Sequence, residues 1–286
     1  MKVSLLHILA CPVCQSPLKY EGTSSTGRMV KGFLRCENSH LFQVKEEIPI
    51  IKDPKMSRGE FVWNIEFPNL QAYDDIQKKY QSYLSGEQRE ADKLQMEELV
   101  SKVSQEDLVL DVASGRGRLL LALSKYLRKE ANVLGTDVDE KPLRGAKLKL
   151  EEQDSYNQVS LCVMDGKHLA IRSRTLPCVT SYWGLDSIPE TKKAFQEVSR
   201  VLMSKGRLVL ATLWFKENSK SLALAEKHGY GDIVTENRLT KTLEETGFKL
   251  DSVKVFYSGK WPHNPMDLLP LEDDWFAHAL VFAHKA

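Results

Sequence analysis

The chain has 286 residues, of which 42% are apolar and 28% charged, with a net charge of +1, enough apolar content for a globular core and room for two domains. Five cysteines are too few for a disulfide scaffold of this size and point to a reducing, cytoplasmic setting. No stretch approaches about eighteen uncharged apolar residues, so neither a transmembrane helix nor a membrane partner is expected.

The first signal in chain order is Cys11-Pro12-Val13-Cys14, followed by Cys36-Glu37-Asn38-Ser39-His40. Cys-x2-Cys with Cys-x3-His supplies four soft or borderline donors in two pairs. Thiolates and an imidazole then fill every position of a tetrahedral Zn2+, leaving none for water, so Cys11, Cys14, Cys36 and His40 read as a structural metal set. Gly22–Gly27 reads as a hairpin tip, and Leu41–Val44 and Ile48–Ile51 as short strands around a turn at Lys45-Glu46-Glu47. A module over residues 1–52 has little core of its own, and a metal clip compensates. His7 is a conceivable substitute ligand. Ile8-Leu9-Ala10-Cys11 superficially matches a lipid-attachment box, but the apolar region is too short and contains His7.

Residues 53–104 form a connector that carries Trp63, Phe67, Tyr73, Tyr80 and Tyr83 among polar residues. Beyond it, Leu108–Val112 is an apolar run suited to a buried parallel strand. It contains Asp111 and leads through Ala113-Ser114-Gly115-Arg116-Gly117 into a helical stretch at Leu119–Leu127. The glycines let the backbone approach a ligand where a Cβ would obstruct it. A second strand, Asn132–Thr136, delivers Asp137, a carboxylate placed for ribose hydroxyls as in dinucleotide-binding folds. Leu120 stands where the dinucleotide fingerprint requires Gly or Ala, and no Lys-Ser/Thr pair follows to make a P-loop. Asp165-Gly166 follows the apolar strand Val159–Met164, and Ser181-Tyr182-Trp183 ends the strand Leu176–Tyr182. From Pro189 a helix presents Ala194, Phe195, Val198, Val201 and Leu202 on one face. Lys205-Gly206 is expected to stop that helix before the strand Leu208–Leu210.

Over residues 105–286 the sequence resembles the class I S-adenosylmethionine-dependent methyltransferases. The likeness rests on Asp111-x-Ala113-x-Gly115-x-Gly117, Asp137 after Gly135-Thr136, Asp165-Gly166, and the helix, turn and strand of 189–214. It implies an α/β, Rossmann-like sheet with helices on both faces. It further implies that Asp137 holds the ribose, Asp165 faces the adenine, and Gly115 and Gly117 pass under the methionine moiety. Asp111 orients the loop or contacts the amino group, and Ala113, Ser114, Val138, Gly166 and Ser181 join the cofactor set. Ala113 replaces the family's first glycine, which is tolerable if its backbone angles are ordinary. In the family the helices before the domain fold over the cofactor, so the aromatic connector is the expected substrate lid.

The N-terminal segment resembles zinc-ribbon modules that precede methyltransferase domains, most of all in the ribosomal-RNA guanine-N1 methyltransferases. The region around Leu239–Phe248 looks equally like the small-molecule, quinone-type branch. Residues 1–58 hold nine Lys/Arg against five Asp/Glu, a surplus of +4, whereas 59–286 hold thirty-one against thirty-four. A basic ribbon permits RNA contact without demanding it. The expected activity is in-line methyl transfer to a small molecule or an rRNA guanine. The competing expectation is a non-catalytic binder that docks on RNA or protein through its ribbon. Asp139, Asp186, Glu190, His168 and His263 are conceivable bases, with nothing in their spacing to choose among them.

Overall fold

The structure, a computed structural model, describes residues 1–52 and 68–286. Trp63 and Phe67, expected in the lid, lie outside the described residues. After a short 3-10 segment at Val3–Ile8, four strands form an antiparallel meander: β1 (Leu18–Ser25), β2 (Arg28–Cys36), β3 (Leu41–Lys45) and β4 (Ile48–Pro49). Two helices follow, α1 (Leu70–Tyr83) and α2 (Gly86–Val103). Asn69 caps α1, and Ser85 with Gln88 forms a reciprocal capping box on α2, which satisfies backbone donors that helix starts leave free.

A larger sheet then alternates with helices: β5 (Leu108–Val112), α3 (Arg118–Tyr126), β6 (Asn132–Asp137), α4 (Glu140–Glu152), β7 (Val159–Val163), β8 (Leu176–Tyr182), α5 (Thr191–Val201) and β9 (Leu202–Phe215). Helices α6 (Lys220–Lys227) and α7 (Glu236–Glu245) precede a hairpin of β10 (Phe248–Lys260) and β11 (Trp275–Lys285). The spatial order is β10-β11-β9-β8-β5-β6-β7, with β8, β5, β6, β7 and β9 parallel and the hairpin antiparallel. Chain order reverses between β5 and β8, and that switch point opens a crevice at the carboxyl ends of the strands. Strands β5 and β7 are buried on both faces, so they read as continuous apolar runs without alternation.

Two local details differ from the sequence reading. Helix α5 already ends at Val201, and Lys205-Gly206 lies inside β9, where pairing with β8 jumps from Leu202 to Arg207 and Lys205 turns to φ 59°. The pair is therefore a strand bulge, not a helix stop. The ribbon is also less separate than a self-contained module. Leu9, Met29, Leu34, Phe42 and Ile51 share one core with Leu110, Val179 and Phe195. The Ile51 amide donates to Val163 O at 2.8 Å, and the Ala10 amide to Ala170 O at 3.0 Å, so the meander extends the edge of the large sheet beyond β7.

Candidate functional site

The crevice at the switch point is a cavity of about 290 Å³. Asp111, Ala113, Ser114, Gly115, Asp137, Val138, Asp165 and Gly166 line it, drawn from the ends of β5, β6 and β7. Gly117 and Ser181, expected among the cofactor contacts, do not. Gly117 starts α3 at φ 77°, where an added Cβ would lie 2.6 Å from Ala146 Cβ on α4. Ser181 is fully buried; its hydroxyl donates to Val112 O at 2.8 Å and accepts from the Leu185 amide at 3.0 Å, joining β8 to β5.

Gly115 has φ 52°, and a Cβ built on it would meet nothing within 4 Å, so the loop leaves open space at this point. Ala113 has φ 55°; its angles are left-handed, not the ordinary ones expected of an alanine that stands in for glycine. Its carbonyl would lie 2.6 Å from a Cβ on Gly184, so this bend is held against the loop after β8. Leu120 is admitted because Gly135 has no side chain: a Cβ there would lie 2.5 Å from Leu120 Cδ1. The bulk of Leu120, where a dinucleotide-binding loop has Gly or Ala, is thus absorbed one strand away.

Asp137 accepts the Gly115 amide at 2.9 Å on Oδ2 and the Asp139 amide at 3.0 Å on Oδ1, which fixes the carboxylate beside the loop. Burial raises its pKa to about 6 against the pull of those amides. Asp111 is buried under the loop, accepts the Thr180 hydroxyl at 3.0 Å, and is pushed up to about 7, again by burial first. Asp165 takes the Lys167 amide at 2.8 Å.

The other half of the cavity is apolar and aromatic, with Tyr80, Trp183, Phe215, Tyr230, Leu268 and Leu269 on its wall. Tyr80 comes from the connector. Tyr73 lies on the same helix, is buried, and donates to Arg116 O at 2.8 Å, while Tyr83 is half-buried. Behind Trp183, Asp92 on α2 pairs with Arg118 and accepts the Tyr182 hydroxyl; the guanidinium lies 5.5 Å from the Tyr182 ring and 5.8 Å from that of Trp183. Asp267, in the loop between β10 and β11, accepts the Tyr80 hydroxyl at 3.1 Å and Asn264 Nδ2 at 2.6 Å, and burial raises its pKa to about 7. Asp92, Arg118 and Asp267 were not candidates from sequence. Nothing local marks them, since their partners come from distant segments.

Among the bases considered from sequence, Asp186 lines the cavity, with Oδ2 accepting Thr212 Oγ1 at 3.1 Å and the Leu213 amide at 3.2 Å. Asp139 also lines it but caps α4 by accepting the Lys141 amide. Glu190 is exposed and paired with Lys193, His168 is exposed, and His263 is exposed and paired with Glu272.

In the ribbon, one donor atom from each of Cys11, Cys14, Cys36 and His40 lies within 4.8 Å of the others. Cys14 Sγ to Cys36 Sγ is 3.7 Å, Cys11 Sγ to His40 Nδ1 is 3.5 Å, and Cys36 Sγ to His40 Nδ1 is 3.3 Å. A tetrahedral ion with Zn–S bonds of about 2.3 Å and Zn–N of about 2.0 Å spaces its ligands about 3.5–3.8 Å apart, close to this arrangement. His7 is not in the cluster; its Nδ1 lies 2.6 Å from Ser4 O.

Residues 70–230 match the family model described as the ubiE/COQ5 methyltransferase family. The chain belongs to that family. It is an S-adenosylmethionine-dependent methyltransferase, and these relatives lend no support to a non-catalytic binder. Among curated proteins, the demethylmenaquinone methyltransferase of Lactobacillus johnsonii is 29% identical over 171 residues, covering 52% of this chain and 70% of the relative. The ubiquinone/menaquinone biosynthesis C-methyltransferase of Rickettsia akari is 25% identical over 159 residues, covering 52% of this chain and 62% of the relative. Among solved structures, the geranyl diphosphate C-methyltransferase of Streptomyces coelicolor A3(2) superposes with a TM-score of 0.52 at 16% identity, over 68% of this chain and 76% of that one. A methyltransferase from Aquifex aeolicus gives 0.50 at 19%, over 67% and 89%. These two likenesses establish the methyltransferase fold. The family match ends at residue 230, so the hairpin loop bearing Asp267, like the ribbon, lies outside it.

Proposed function

We propose that this methyltransferase transfers a methyl group to a ring carbon of a small quinone-type compound in its reduced, hydroxylated form. The observation that carries the reading is the apolar, aromatic half of the cavity beside the glycine loop, which suits a flat ring better than a nucleotide in a polynucleotide. The names of the curated relatives point the same way. An electron-rich ring diol is a better nucleophile toward a methyl cation equivalent than the electron-poor quinone. The RNA alternative draws less support, because three of the ribbon's basic side chains are engaged within the protein and no relative reported above acts on RNA. Arg28 is buried on the Tyr156 ring and donates to Val159 O, Lys2 Nζ donates to Asn132, and Lys52 Nζ donates to Val138 O.

In this reading the cofactor supplies the electrophilic methyl group on a sulfonium. Asp137, pinned by two amides, offers its remaining lone pairs to the ribose hydroxyls, and Asp165 and Gly166 border the adenine. Gly115 gives the methionine portion room, while Ala113, Ser114 and Val138 form the wall and Asp111 steadies the bend from below. Gly117 and Ser181 act from behind, by holding α3 and β8 in place. Tyr80 and α1 cover the acceptor, consistent with a lid. Restricted geometry of this kind can contribute about 7–11 kcal/mol to the barrier reduction.

The Cys11, Cys14, Cys36 and His40 cluster is read as a structural Zn2+ site, since a divalent cation supplies the charge that keeps all three sulfurs as thiolates. The five cysteines, none of them paired in a disulfide, suit a reducing, cytoplasmic setting. Among the described residues no helix is long and apolar enough to cross a membrane.

The test is transfer of labelled methyl from S-adenosylmethionine to naphthalene-1,4-diol under anaerobic conditions, beside ribosomal RNA. Label in the organic extract supports the reading. Label confined to RNA overturns it.

A further inference from the structure

We propose that Asp267 is the catalytic base that takes the proton from the acceptor's hydroxyl. The assignment rests on the reading that the acceptor is a hydroxylated ring. Asp267 lies on the loop between β10 and β11, beyond the segment that carries the family likeness, and lines the apolar half of the cavity with Tyr80, Leu268 and Leu269. Its two hydrogen bonds, from Tyr80 Oη and Asn264 Nδ2, both fall on Oδ2. Oδ1 has no hydrogen-bond partner among the described residues. One oxygen is therefore anchored and the other is available to a ligand.

The other wall carboxyls are committed elsewhere. Both oxygens of Asp137 hold loop amides, Asp111 lies on the floor under Thr180, Asp139 caps α4, and Asp165 holds its own turn. Asp186 comes nearest as a rival, but its Oδ2 joins the end of β9 and its Oδ1 is sealed from solvent. The charged and titratable groups that face Asp267 are Tyr80 from α1 and Arg116 from the glycine loop. Burial raises the Asp267 pKa to about 7, so it is a carboxylate at mildly alkaline pH and still basic enough to accept a proton.

The hydroxyl proton passes to Asp267 Oδ1 as the O–H pair forms a ring carbonyl and a ring π pair forms the new C–C bond. The S–CH3 bond breaks with its pair retained by sulfur, which becomes neutral. The ring C–H proton then leaves to water, its pair restores aromaticity, and Asp267 returns its proton to the carbonyl oxygen. The net products are the methylated diol, the thioether and one proton.

The experiment uses the full chain with naphthalene-1,4-diol and S-adenosylmethionine, and calorimetric titration of the methyl donor reports on folding of each variant. Asp267→Asn is expected to bind the donor within twofold of the parent yet to lose at least about 100-fold in kcat. The parent's rate should rise with pH through about 7. Asp267→Asn should lose that limb, and Asp267→Glu should recover part of it. Tyr80→Phe, which removes a bond that favours the carboxylate, should move the midpoint to higher pH. Asp267→Asn methylating the diol at the parental rate, or Tyr80→Phe and Asp267→Asn both keeping the parental pH profile, overturns the assignment alone. A parent that binds the donor but leaves the diol unmethylated overturns both the acceptor reading and this assignment.

Discussion

Gly115 and Gly117 have similar left-handed angles but face different surroundings, and alanine at each should fail in a different way. At Gly115, with φ 52°, the left-handed penalty for a Cβ is about 1–2 kcal/mol, offset by about 0.4–1 kcal/mol from the stiffer unfolded chain. No atom lies within 4 Å of the new methyl, so the net loss of stability should be about 1 kcal/mol, or a few degrees in Tm. On the proposed binding mode that methyl instead occupies space the cofactor requires, and Kd for S-adenosylmethionine should rise at least about tenfold. At Gly117 the methyl would lie 2.6 Å from Ala146 Cβ, so overpacking of about 1–3 kcal/mol adds to the backbone penalty and stability should fall by about 2–4 kcal/mol. Adding Ala146→Gly to Gly117→Ala should restore the overpacking part, less about 1 kcal/mol for glycine in a helix. Urea melts and calorimetric titration of the cofactor separate these outcomes. Unchanged cofactor affinity in Gly115→Ala, or equal destabilisation by both alanines, would refute the idea that the first glycine serves the ligand and the second the fold.

Burial of Asp111 gives a pH signature. Its pKa is about 7 in the fold against 3.8 unfolded, so between these values the folded state holds a proton that the unfolded state releases. Stability from this group therefore falls as pH rises through about 4 to 7, and the full penalty above pH 7 is at most about 4 kcal/mol. Ligand-free Asp111→Asn should be more stable than the parent at pH 8 and indistinguishable near pH 4, as measured by urea melts; lower stability at pH 8 would contradict this. In the ribbon, Cys36→Ser should lose about one equivalent of zinc and lower Tm by several degrees, read by elemental analysis and scanning calorimetry. Unchanged metal content would remove the site. Asp92→Ala leaves the half-buried Arg118 guanidinium without its carboxylate and should cost about 2–3 kcal/mol in a thermal melt, below the range for a fully buried pair; a change below about 1 kcal/mol would show that the pair does not brace the aromatic wall.

Most of the glycine-loop half of the cavity was legible in the sequence, because its residues follow one another at the ends of consecutive strands. Asp111, Gly115, Asp137 and Asp165 sit where an apolar run stops, and a buried parallel strand announces its own end. The Cys/His cluster was legible for a similar reason, since Cys-x2-Cys and Cys-x3-His fix donor spacing within two short segments. What resisted reading depends on distant partners. The left-handed Ala113 packs against Gly184, seventy-one positions later, a neighbour that local sequence does not reveal. Lys205-Gly206 carries a helix-stop composition, but sheet pairing from Leu202 overrides it. Asp267 has the appearance of a turn residue after Asn264-Pro265, and only its packing against Tyr80 gives it a place on the cavity wall.

Asp137 tests the account most directly, because the account requires its carboxylate to hold the cofactor. Calorimetric titration of the parent with S-adenosylmethionine should give one site per chain, and Asp137→Ala should weaken it by about 3 kcal/mol, near 100-fold, for two lost charge-assisted hydrogen bonds. Equal affinity in the two proteins, or no binding by the parent, would contradict the account.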